Sequence, residues 1–153
     1  MEINQYFFDK IEPVLKWLKE KIGNDFVVFG SGPLYLMGVV EFGENSALND
    51  LDIAIKDLAV VPKEAKEVHF RGDLNQKLFK INIQGIDVDM GAVWPGQEEI
   101  FPKIFKDPFV VQDYKFANLQ ICLEWREYVA EKYKREKDIV YLTKIKEFIK
   151  NKN

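Results

Sequence analysis

Two pairs of aspartates and a glycine-serine turn carry the chemistry legible in this chain. Asp50 and Asp52 are spaced by two at the start of the apolar alternation Leu51, Ile53, Ile55. Residues two apart on a strand leave from the same face, so these carboxylates stand roughly 7 Å apart and can share divalent metal. Asp87 and Asp89 repeat the pattern between Ile86, Val88 and Met90. Acids gathered on sheet faces are unfavourable unless cations or basic side chains neutralise them. If the two strands are neighbours, three of the four acids form a cup for one or two Mg²⁺. Such ions clamp a transferring phosphoryl group and lower the pKa of an attacking hydroxyl. Upstream, the apolar run Phe26–Phe29 stops at Gly30-Ser31-Gly32. A turn of this composition before a helix cradles phosphate oxygens with backbone N–H groups. The combination points to chemistry on a metal-bound nucleoside triphosphate. Solvated acids on two amphipathic strands are the competing explanation; they suit a lone Asp-x-Asp better than a doubled one behind a phosphate-type turn.

The elements that must position these groups follow from periodicity. Tyr6, Phe7, Ile11, Leu15, Leu18 and Ile22 recur at three- and four-residue steps, which predicts an amphipathic helix over residues 5–22. Pro13 is expected to kink it or divide it, and Gly23-Asn24 to stop it. Residues 26–29 read as a short buried strand, and Pro33 as the first residue of a helix reaching about Val40. A polar loop spans 41–49. Strands are expected over 50–55 and 68–70, and a hairpin over 79–90 turns at Gln84-Gly85. Residues 97–106 read as a helix and 109–111 as a brief strand or extended link. In the last third, Leu119, Cys122, Leu123, Arg126 and Val129 share one helix side. Ile139, Leu142, Ile145 and Ile149 line a second helix. The order predicts a single α/β or α+β domain over 1–153. A core of small mixed sheet and flanking helices runs to residue 113, and a helical part continues from 114.

Composition narrows the setting. A chain of 153 residues is long enough to bury a core, and none of its apolar runs reaches the roughly 20 residues a membrane span needs. The N-terminal segment is acidic and aromatic where a signal peptide is basic and then apolar. The single cysteine, Cys122, excludes an internal disulfide and a cysteine-rich metal site. These features lead us to expect a cytoplasmic protein. The net charge of −3 argues against holding nucleic acid by overall field, although lysines crowd the last third.

The layout of apolar strand, Gly-Ser, helix, Asp-x-Asp strand and a later single-acid strand resembles the nucleotidyltransferase fold of the polymerase-beta superfamily. More narrowly, it is similar to small prokaryotic nucleotidyltransferase-like proteins, including relatives of abortive-infection toxins. The resemblance implies that Gly30 and Ser31, with Gly32 beside them, hold the triphosphate. It implies that Asp50 and Asp52 bind two Mg²⁺ or Mn²⁺ ions, and that a third acid completes the site. Asp89 takes that place because VDMGAVWPG resembles the family's acid, apolar run and Pro-Gly; Asp87 is its competitor. Arg126, and Lys137-Asp138 opening the last helix, resemble the family's basic residue and later Lys/Arg-Asp pair, where the basic groups neutralise phosphate.

Two departures bear on function. Eighteen residues separate Ser31 from Asp50, more than in minimal members, and Ser46 and Leu48 stand where relatives carry Arg and Thr. The implied activity is transfer of a nucleoside monophosphate from an NTP to an unknown acceptor: protein, RNA or small molecule. The alternatives are a degenerate nucleotide-binding module and a toxin–antitoxin-type partner protein. His69, the Arg71-Gly72-Asp73 triplet and the buried-helix Cys122 are read as structural. Trp17, Trp94 and Trp125 read as core or interface residues, with base stacking by Trp94 as a minor option.

Overall fold

The computed structural model describes residues 2–69, 77–92 and 97–152. The first helix, α1 (Gln5–Ile22), buries Phe7, Phe8, Ile11, Val14, Leu15 and Leu18, the stripe that its three- and four-residue spacing requires. Asn4 caps it by accepting from the Phe7 N–H, and its own amide donates to the Phe42 carbonyl, tying the helix start to the core. Gly23 ends it in a positive-φ conformation. The expected division at Pro13 does not occur. Pro13 and Asp9 both face solvent, so water can serve the Asp9 carbonyl that the missing N–H leaves free, and the helix runs on.

Seven strands among the described residues form one mixed sheet in the order β3-β4-β5-β2-β1-β7-β6. They are β1 (Phe26–Phe29), β2 (Leu51–Ile55), β3 (Lys66–His69), β4 (Lys77–Ile83), β5 (Ile86–Gly91), β6 (Phe109–Val111) and β7 (Tyr114–Phe116). The central strands are apolar because both their faces are covered: all of β1 is buried, and β2 and β5 supply Leu51, Ile53, Val88 and Met90 to the core. Strands β1 and β2 run antiparallel, with Phe29 opposite Asp52. Strands β2 and β5 run parallel, with Asp52 opposite Asp89. The β4–β5 hairpin turns through Gln84 and Gly85, both at positive φ, which is the two-residue geometry that matches strand twist.

Several boundaries depart from the sequence expectation. The helix after the glycine turn, α2 (Gly32–Met37), stops at Gly38 rather than near Val40, because Gly38 takes a left-handed conformation and the Val39 N–H folds back to the Leu34 carbonyl. Residues 97–106 hold only the four-residue α3 (Phe101–Ile104), since Pro102 cannot donate a backbone hydrogen bond and is tolerated only in a helix's first turn. Strand β7 has no counterpart in the sequence expectation. It pairs parallel with β1, so the sheet continues past residue 113. The last helices are α4 (Leu119–Tyr133) and α5 (Glu136–Lys152). On α5 the inward face is rotated from the expected stripe: Asp138 and Ile145 are buried while Ile139 is half exposed. The cause is the ionic contact that Asp138 makes, described below. No helix among the described residues is long and apolar enough to cross a membrane.

Candidate functional site

One cavity of about 120 Å³ opens where β1 ends, between the carboxyl-bearing strands and the C-terminal helix pair at the middle of α4 and the start of α5. Its acidic wall comes from two adjacent segments: Asp50 immediately before β2 and Asp52 within it, and Asp89 from β5. The parallel register that sets Asp52 against Asp89 brings together acids far apart in sequence. Asp87 lies outside the cavity lining and pairs at 3.0 Å with Asn82, its cross-strand neighbour.

Electrostatics on this wall are strained. Burial, then the charges of Asp89 and Asp50, push the Asp52 carboxyl up to about 7, against the opposing pull of Arg126 and Lys137. Burial and the Asp50 charge likewise raise Asp89, with Lys80 opposing them. Lys80, on β4, reaches across: its Nζ lies 3.1 Å from Asp50 Oδ1 and 3.2 Å from Asp89 Oδ1. The contact to Asp89 is an ion pair rather than a well-directed hydrogen bond, and the Asp89 oxygen is otherwise without a partner. For Lys80 itself, burial lowers the pKa, but the hydrogen bond to Asp50 and the charges of Asp89 and Asp50 outweigh it and hold the ammonium above its ordinary range.

The glycine turn divides into different roles. Gly30 has φ of +72°, and a Cβ there would collide with the Asp52 carboxylate. Only glycine lets β1 end so close to the second acid. A Cβ on Gly32 would sit 2.8 Å from the Val28 side chain, so that glycine serves helix-to-strand packing. The Ser31 hydroxyl makes no capping bond to α2; it faces the cavity and accepts from Arg126 Nη2 at 3.4 Å.

Arg126 anchors the basic wall. It is 3% exposed, donates from Nη1 to Asp138 Oδ1 at 2.9 Å, and lies over the Tyr141 ring at 5.2 Å. Its Nε is buried with no partner. Arg135 grips the same carboxylate, Nε to Oδ2 at 2.7 Å and Nη2 to Oδ1 at 3.0 Å. Asp138 is fully buried, satisfied by two guanidinium groups. With Lys137 also at the cavity, the basic wall carries more positive charge than Asp138 cancels. Neither Arg126 nor Asp138 is the solvated surface charge that an amphipathic helix ordinarily presents.

The cavity lining also includes Arg135, Tyr35 and Trp125, none of which the sequence singles out as site residues. Lys80 itself is locally legible: a two-residue turn at 84–85 forces residue 80 opposite 89. Trp125 sits beside Arg126 and packs edge-on to Phe29 at 5.5 Å, one side of it reaching the cavity. Tyr35, whose hydroxyl lies 3.0 Å from that of Tyr141, is pushed up by burial first. Cys122 is buried, and burial pushes its thiol up to about 12, consistent with a structural role. His69 lies on the edge strand β3, away from the cavity lining. Trp94 and the Arg71-Gly72-Asp73 triplet lie outside the described residues.

The hard oxygen donors of Asp50, Asp52 and Asp89 suit Mg²⁺ or Mn²⁺, and the raised Asp52 and Asp89 values mark a wall that a cation would relieve. The acids are not gathered into a ready-made cage: among the described residues no group of three or more metal-type side chains is closed tightly enough to hold an ion. Comparison with protein-family models, with curated proteins and with solved structures gives no match.

Proposed function

We propose that this chain is a nucleotidyltransferase-type domain that moves a nucleoside monophosphate from an NTP to an acceptor hydroxyl. One observation carries the reading: a single cavity joins three carboxylates from two neighbouring segments to a buried arginine that touches the serine of a Gly-Ser turn. Asp50, Asp52 and Asp89 are the residues that would hold Mg²⁺ or Mn²⁺. When bound, divalent metal supplies neutralisation of the triphosphate and acidifies the attacking hydroxyl. Arg126 and Lys137, with Ser31 beside them, receive phosphate oxygens, and the fixed arginine needs little reorganisation to do so. Asp89 would help activate the acceptor hydroxyl, and its pKa, raised by burial first, supports that role. Trp125 gives the cavity an apolar flank for a base or acceptor.

The test is a thermal melt with each of the four NTPs, with and without Mg²⁺ or Mn²⁺, for wild type and the Asp50→Asn, Asp52→Asn double variant. A ligand that binds only the native state raises the melting temperature. We expect a metal-dependent rise that the double variant lacks. No rise with any nucleotide in wild type would refute the reading. A second reading is a module that binds nucleotide without transfer. The Lys80 ammonium lodged between Asp50 and Asp89 favours it, together with Ser46 and Leu48 in place of Arg and Thr. A melting shift without pyrophosphate release on any acceptor would select it.

A further inference from the structure

Among the described residues, Lys80 is the cation lodged within the acidic wall, and nothing in the proposed transfer chemistry requires it there. It stands directly opposite Asp89 in the β4–β5 ladder and reaches past it to Asp50, a residue of a different segment. Its Nζ bridges one oxygen of each, at 3.1 and 3.2 Å. Bridging two carboxylates from separate strands is what a shared divalent ion does. An ammonium is a compact, strongly hydrated point charge on a flexible stem, so it can both fill such a position and leave it. The geometry agrees: Asp89 is buried, whereas the Lys80 side chain is 39% exposed and has solvent to swing into. The Asp89 oxygen that faces it has no well-directed hydrogen bond, so it remains open to a stronger ligand.

We propose that Lys80 is a built-in competitor for the divalent cation: its ammonium bridges Asp50 and Asp89 when no ion is bound and must withdraw for an ion to bind. The inference rests on the reading of these acids as a metal site. Lys80 then does two things. It keeps the acidic wall neutralised, so the domain folds without metal. It also sets the metal concentration at which the site loads, because every ion bound costs the two lysine contacts.

The test is Mn²⁺ binding, monitored by the loss of the free-ion electron paramagnetic resonance signal, on wild type, Lys80→Met, Lys80→Arg and Asp52→Asn. Lys80→Met should bind Mn²⁺ about tenfold more tightly than wild type, equivalent to about 1.4 kcal/mol. Lys80→Arg, which keeps a cation at the bridge, should show no such gain. Equal or weaker binding by Lys80→Met, with binding still lost in Asp52→Asn, would overturn the competitor and leave the metal site standing. No Mn²⁺ bound by any of the proteins would overturn both. A measurement on wild type covers the case in which Lys80→Met does not fold: amine labelling read residue by residue by mass spectrometry. Labelling of Lys80 should rise severalfold on adding Mn²⁺ relative to chelator; an unchanged rate at saturating Mn²⁺ would overturn the proposal.

Discussion

Asp52 is the residue where burial and charge meet most sharply. Its carboxyl is pushed up to about 7, by burial first and by Asp89 and Asp50 next. An unfolded aspartate titrates near 3.9, so between about pH 4 and pH 7 the folded chain holds this proton more tightly than the unfolded one. The stability it contributes is therefore complete below about pH 4 and is lost as pH rises through 7. Asp52→Asn cannot ionise and removes that slope. In denaturant titrations the variant should gain on wild type between pH 5 and pH 8, by an amount on the order of 1–4 kcal/mol. A difference that stays constant across this range would show that Asp52 ionises freely. Arg126 contributes instead through its buried ion pair with Asp138. Arg126→Met leaves the fully buried Asp138 with Arg135 alone and should cost about 3–5 kcal/mol by chemical denaturation. Arg126→Lys should recover little of it, since one ammonium cannot span Asp138 and Ser31 as the guanidinium fork does. The types and spacing of Asp50, Asp52, Arg126 and Lys137-Asp138 are visible in sequence. That Arg126 and Asp138 are buried is not, because helical periodicity records which residues are polar and not which polar residues find each other.

At the scale of elements, local signals are legible where a strong period meets a clear stop. The stripe and Gly23 end of α1, the alternation of β2 and the two-residue turn between β4 and β5 all follow from nearest neighbours in the chain. Strand β7 does not, because three residues are too few to show a period and its partner β1 comes from the opposite end of the sequence. The choice between Asp87 and Asp89 likewise depends on the parallel register of β2 with β5, a long-range pairing that neither strand encodes alone. Pro13 gives an element-scale prediction. It sits on the solvent side of a helix held by its buried face, so its lost hydrogen bond is tolerated rather than used. Pro13→Ala restores the bond to the Asp9 carbonyl, offset in part by a more flexible unfolded chain, and should stabilise the protein by about 1–3 kcal/mol. The check is the denaturation midpoint, with Mn²⁺ affinity unchanged; a destabilised variant would mean that α1 depends on a bend at that point.

At the scale of the whole molecule, the cavity is shared by two parts with separate contacts. The acids belong to the sheet, whereas Arg126, Arg135 and Lys137 belong to the α4–α5 pair and its connection, which packs chiefly on itself and touches the rest partly through α2. The Arg126–Ser31 contact and the Tyr35–Tyr141 hydroxyl pair are polar ties between that pair and the glycine-turn end of the sheet, and the former is long at 3.4 Å. Local opening of the helix pair is therefore easier than opening of the central strands, and a ligand spanning both walls should suppress it. Metal and nucleotide can thus be separated in one experiment. Hydrogen exchange with Mn²⁺ alone should slow amides in β2 and β5 and leave α4 and α5 near their ligand-free rates, because the ion needs only the acidic wall. Mn²⁺ with an NTP should also slow the first turns of α5 and the segment of α4 around Arg126, because phosphate oxygens would close the gap between Ser31 and the basic residues. Protection of the helices by Mn²⁺ alone would mean that the two walls already move as one body. Protection confined to the strands when both ligands are bound would mean that the triphosphate does not reach Arg126, and the basic wall would then have to be explained by the fold alone.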